Sequence, residues 1–186
     1  MTAKSLHSIC RWTFNPGKGG FLPGDIRPDW DGDSFTSADM VRLVSEKIAP
    51  RMPDHVALGI EMHYNNEINE DNAADVAQAM KDGGLHLAMI TPGAHVHAAY
   101  GGVASLAADE RQRMADLGQG CVDLAYGAMR DTWLDGVPPT MVLWNGSFGY
   151  DLASIGIQKM YQNLKQSIAE LCKYEESKGG QMYFAI

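Results

Sequence analysis

Five short apolar runs alternate along this chain with four stretches in which apolar residues return every three or four positions. The runs cover residues 8–14, 56–63, 86–91, 140–144 and 181–186, each bounded by glycine, proline or polar residues. Runs of this length, apolar on both sides, predict buried parallel strands. Between them, Thr36 or Ser37 caps a first helix through Met40, Leu43, Val44 and Ile48, ended by Pro50 and Pro53. A second helix covers 71–81, with Val76, Ala79 and Met80 inward and Gly83 and Gly84 as its stop signal. A third, from about residue 106 to 130, places Met114, Leu117, Cys121, Leu124 and Ala128 on one stripe. The fourth, 153–177, repeats the spacing with Ile157, Tyr161, Leu164, Ile168, Leu171 and Cys172, and Gly179 and Gly180 close it.

Strand and helix in strict alternation predict one α/β domain over residues 1–186 with a parallel sheet. A doubly wound open sheet and part of a (β/α)₈ barrel both satisfy this order. Neither GxGxxG nor GxxxxGK[ST] occurs, which weighs against the nucleotide-binding versions. The cluster Gly17, Lys18, Gly19, Gly20 lacks their spacing and reads as a surface loop. The last run stops at Ile186 with no helix to follow it, and a complete barrel takes about 250 residues. The expectation is a barrel cut at its fifth strand.

Composition narrows the functions. The chain has 186 residues, 45% of them hydrophobic and 20% charged, enough apolar side chains for a full core. Fifteen Lys and Arg against 23 Asp and Glu leave a net charge of −8, the wrong sign for binding a nucleic-acid backbone. No apolar run of about 18 residues predicts a membrane span, and the first residues carry no secretory signal pattern. Cys10, Cys121 and Cys172 are odd in number and widely spaced, as expected of reduced thiols in a cytoplasmic protein.

In parallel α/β folds chemistry gathers at the carboxyl ends of the strands. There the sequence places Trp12 and Asn15, then His63 followed by Tyr64, Asn65, Asn66 and Glu67, then His95 and His97, and finally Trp144 and Asn145. An imidazole flanked by indole rings suits a small polyhydroxylated ligand, and histidine is the usual acid or base near neutral pH. His95 and His97 have HxH spacing but no further ligand beside them, so no metal site is assigned to them. The acidic loop 29–33 lacks the closing glutamate of a calcium loop and reads as solvated. His7, His55 and His86 fall at strand starts or in loops and carry no role.

Taken in order, these residues resemble the xylose isomerase family, a TIM-barrel family. Arg11, Trp12 and Thr13 stand where the family carries Leu-Trp-Thr, and His63 to Glu67 correspond to its His-Asp-Asp-Asp-Leu box. The segment from Met141 to Gly146 is similar to its tryptophan strand, and Phe184, Ala185 and Ile186 to its Phe-Ala-Ile, normally followed by Glu-Pro-Lys-Pro. The resemblance covers the chain but only the family's first five strands and four main helices. It implies a metal-dependent aldose–ketose isomerase acting by ring opening and hydride shift on a small sugar. His63 takes the ring-opening role, with Asn66 in the place of its carboxylate partner; Trp12, His95 and Trp144 wall the sugar pocket. His95 stands where the family has phenylalanine, and Asn66 can accept the imidazole N–H without the charge of an aspartate. Two divalent cations are implied for the full-length protein, together with a homo-oligomer. Their ligands belong to the fifth strand onward, so this chain alone is expected to bind no metal and to be inactive. Sugar epimerases and hydroxypyruvate-type isomerases of the same barrel superfamily are the alternative, and a self-associating half-barrel is another.

Overall fold

The computed structural model describes residues 5–14, 35–93, 101–143 and 154–186, with Trp12 and Ser154 described by backbone alone. The strands are β1 Ser5–Cys10, β2 Val56–Tyr64, β3 His86–Pro92, β4 Thr140–Val142 and β5 Tyr183–Ala185. The main helices are α1 Ser37–Leu43, α2 Ala73–Gly83, α3 Ala108–Tyr126 and α4 Ser154–Lys178. All neighbours in the sheet are parallel and their order is β1-β2-β3-β4-β5. Right-handed crossovers that always advance in one direction put every helix on the same face. That is the winding of a barrel; a doubly wound sheet must reverse its strand order.

Side chains paired across a parallel ladder share a face, so the register sorts the sheet. Leu58, Ile60 and Met62 of β2, Leu87 and Ile90 of β3, Met141 of β4 and Phe184 of β5 point toward the helices. There they meet Met40, Val41 and Val44 from α1 and its extension, Val76 and Met80 of α2, Cys121, Val122 and Ala125 of α3, and Leu171 of α4. The opposite face, the lumen side of a barrel, carries Cys10, Glu61, His63, Met89, Thr91, Thr140, Val142 and Tyr183. Between β2 and β3 the register slips at Ile60 and Glu61: Ile60 pairs with Leu87 and Glu61 with Met89, leaving Ala88 as an extra residue. Gly59 makes room for it, since a Cβ at Gly59 would lie 2.5 Å from that of Ala88.

Several boundaries differ from the sequence expectation for local reasons. β1 begins and ends earlier, and Arg11–Thr13 forms a 3₁₀ turn, so Trp12 lies past the strand rather than in it. Thr36 caps α1 in a reciprocal box with Asp39: the Asp39 N–H donates to Thr36 Oγ1 at 3.1 Å, and the Thr36 N–H to Asp39 Oδ2 at 3.0 Å. The helix then widens into a π turn, Val44–Ile48, and tightens at Ala49–Arg51, where Pro50 supplies no N–H. α2 starts at Ala73 because Asn69 and Asn72 close a turn ahead of it, and it ends on Gly84 at φ 62°. α3 stops at Tyr126, which leaves Ala128 exposed and brings Met129 into the core.

The inner side of α4 is not the apolar stripe the spacing predicts. Tyr161 is 58% exposed, and the buried line is Met160, Asn163, Ser167, Leu171 and Glu175. Its polar members each satisfy backbone. Asn163 donates to the Ser105 carbonyl at 2.9 Å and Ser167 to that of Val103 at 2.8 Å. Glu175 accepts the N–H groups of Gln181 and Met182, both at 2.8 Å, which pins the entry to β5 and keeps those two residues out of the strand. The three cysteines form no disulfide. Among the described residues no helix is long and apolar enough to cross a membrane.

Candidate functional site

His63 occupies the penultimate position of β2, on the lumen face, and is buried. The chain then turns back on itself. Asn65 takes a left-handed conformation at φ 69°, its N–H bonds to the Ile68 carbonyl, and the N–H groups of Glu67 and Ile68 both return to the His63 carbonyl. Asparagine tolerates this backbone better than other residues with a side chain. The turn swings the buried Glu67 carboxylate under the imidazole, where Oε2 accepts from the His63 backbone N–H at 2.9 Å and stands 3.0 Å from Nδ1.

This corrects the expectation for Asn66. The partner of His63 is Glu67, one residue further on, and it is an anion-forming group rather than an amide. Asn66 is exposed; its side chain lies over Gly93, where a Cβ would sit 2.4 Å from Asn66 Nδ2. The position is braced from three sides. Ser37 at the start of α1 donates to the Glu67 carbonyl at 2.6 Å, Asn72 donates to it at 3.1 Å, and Arg11 holds Ser37 Oγ at 3.0 Å and the Phe35 carbonyl at 2.8 Å. Tyr64 points the other way, its hydroxyl donating to Glu70 at 2.7 Å and its ring lying against Gly120 of α3.

Glu61, two residues before His63, shares its face of β2. Partial burial raises its pKa above the ordinary glutamate value, the attraction of His63 works against that rise, and the charge of Glu67 adds to it. Glu61 was not singled out by the strand-end reading, and Glu67 was named there without a role. Their signals were an acidic residue inside an otherwise apolar strand and a carboxylate four places after a histidine across an Asn-Asn turn. Of the other expected site residues, Trp12 is placed by its backbone just past β1, while His95 and Trp144, with Asn15, His97 and Asn145, lie outside the described residues. Among the described residues no group of three or more His, Cys, Asp or Glu could hold a metal ion. The chemistry that His63 and Glu67 can do by themselves is proton transfer. A separate cavity of about 660 Å³, lined by Arg130, Trp133, Leu134 and Gln181 among others, precedes β4 and β5, at the end of the sheet away from His63.

The five described strands, parallel and in consecutive order, have the fold of about half of a TIM barrel of the kind seen in xylose isomerase-like structures. No family model and no curated protein matches the chain. Among solved structures it is similar to a candidate xylose isomerase from Rhodospirillum rubrum, with a TM-score of 0.60 and 14% identity over 80% of this chain and 48% of that one. It is also similar to 3-keto-D-glucoside 4-epimerase from E. coli, with a TM-score of 0.53 and 14% identity over 82% of this chain and 53% of that one. A xylose isomerase domain protein from Planctomyces limnophilus follows at 0.50 and 12%, over 77% and 48%. The chain thus spans about half the length of the structures it matches.

Proposed function

We propose that this chain forms the first half of the active-site barrel of a sugar isomerase, and that His63, held by Glu67, is the acid–base group that opens the ring of a small aldose. The observation that carries the reading is the buried His63–Glu67 contact of 3.0 Å at the carboxyl end of β2. With Nδ1–H given to Glu67, Nε2 is the basic nitrogen, and the carboxylate stabilises the imidazolium that forms. The anomeric O–H proton passes to Nε2, the bond from the anomeric carbon to the ring oxygen breaks with its electron pair left on oxygen, and the imidazolium returns the proton there. The open-chain sugar is the species that an aldose–ketose interconversion requires. The likeness to a 4-epimerase favours a second reading, in which the same pair serves an epimerisation; product analysis separates the two.

The test is incubation with aldopentoses and aldohexoses, with Mn²⁺ or Mg²⁺ present, followed by assay for ketose and epimer. The 186-residue chain alone is expected to give no turnover, and a full eight-stranded barrel that contains it to give it. In the completed protein His63→Gln lowers kcat/KM by roughly 10²–10⁴-fold. Unchanged turnover in that variant overturns the role of His63, and turnover by the chain alone overturns its dependence on the other half.

A further inference from the structure

Glu61 has no place in the ring-opening step, yet it occupies the ground beside it. A residue two positions back along a strand stands roughly 6.6 Å away on the same face, which sets Glu61 beside His63 on the lumen face of β2 while Glu67 reaches the imidazole from the turn that follows. His63 is thus flanked by two carboxylates, of which Glu67 fixes its orientation through a hydrogen bond. Among the described residues, those paired with Glu61 in the sheet carry no positive charge. Its register partner on β1 is Cys10, a thiol, and its partner on β3 is Met89, which does not titrate. Further down the same face lies His86 of β3, opposite Gly59, and across it Tyr183 of β5, opposite Thr140.

We propose that Glu61 is a positioning residue of this site, acting through its charge to set the protonation state in which His63 meets its ligand. The inference rests on the acid–base role proposed for His63 and adds a division of labour: Glu67 holds the ring and its tautomer, and Glu61 adjusts how readily the ring is protonated. A unit charge at this distance in a half-buried setting moves an imidazole by on the order of one pH unit. Because Glu61, His63 and Glu67 interact, their proton uptake belongs to the group rather than to any one member. Burial raises the Glu61 pKa above the ordinary glutamate value, the attraction of His63 lowers it, and the charge of Glu67 adds to the rise.

The experiment is a pH titration of the 186-residue chain by NMR, following the imidazole carbons of His63 and the carboxyl carbons of Glu61 and Glu67. Glu61→Gln, of the same shape without the charge, is expected to lower the His63 midpoint by about half a unit to one unit. Glu61→Asp restores most of it, which a packing role would not do. A His63 midpoint that stays put in Glu61→Gln while falling in Glu67→Gln overturns the proposal. Failure of the ring-opening reading shows separately, as turnover that survives His63→Gln in the completed protein, and leaves the titration result standing.

Discussion

At His63 the backbone N–H and the ring both meet one carboxylate oxygen, Oε2 of Glu67, at 2.9 and 3.0 Å. Removing that oxygen takes a hydrogen-bond acceptor from two buried groups at once, each such loss costing about 1–3 kcal/mol where it is not replaced. Glu67→Ala is therefore expected to lower unfolding free energy by about 2–4 kcal/mol, read from urea denaturation. Glu67→Gln keeps an acceptor in place and loses less than half as much. A loss in the glutamine variant equal to that in alanine would mean that charge, not the hydrogen bonds, holds the turn. At this scale the sequence was half legible. The strand-end rule finds His63, but comparison of short boxes position by position assigns the partner to Asn66. The backbone decides otherwise, because the left-handed Asn65 brings the fourth following residue, not the third, beneath the ring.

Elements here carry site geometry through close backbone approach. α3 comes near enough to β2 at Gly120 that an added Cβ would lie 2.4 Å from Tyr64 Cζ. Gly120→Ala gains helix propensity of about 1 kcal/mol but displaces the Tyr64 ring and its hydrogen bond to Glu70. The expected net is a loss of about 1–2 kcal/mol in thermal unfolding, since overpacking costs about 1–3 kcal/mol; a gain would show that the ring moves freely. Helix existence and order are legible from apolar spacing, and a cap at Thr36 or Ser37 from residue type; the reciprocal box with Asp39 shows only in the folded chain. The inner face of α4 is not legible, because spacing counts apolar residues only. Asn163, Ser167 and Glu175 are buried there to meet carbonyl and N–H groups from distant turns, a demand that exists only once the chain has folded.

For the whole molecule, stability against pH gathers these local terms. Glu61 has its pKa raised in the folded state, so its charged form is penalised above that value and the penalty fades as pH falls toward the unfolded value of 4.5. Asp39 runs the other way. Its carboxylate is lowered, chiefly by the hydrogen bond from the Thr36 N–H, so its contribution holds above 3.8 and is lost as pH drops through the folded value. Glu61→Gln is therefore expected to raise the unfolding midpoint at pH 7 and to leave it unchanged below about pH 4, as calorimetry at the two values will show. An equal shift at both would trace the effect to packing. The α/β class and the parallel sheet are legible in the alternation of runs and stripes; the choice between a doubly wound sheet and a barrel is not. Only the consecutive pairing of Ser5–Cys10 through Tyr183–Ala185 decides it, and pairing is a property of the folded sheet.

The extra residue at Ala88 carries a lesson for how relatives of this chain can diverge. Met89 and Thr91 already keep step with Glu61 and His63 across the bulge. Losing Ala88 would straighten β3 without moving any later residue to the other side. Losing one residue between Met89 and Thr91 would instead exchange inside for outside, and swing Thr91 away from His63. Evolution is thus free to change the length of this strand at its kink and held to a fixed count beyond it, so a one-residue gap in an alignment belongs at Ala88.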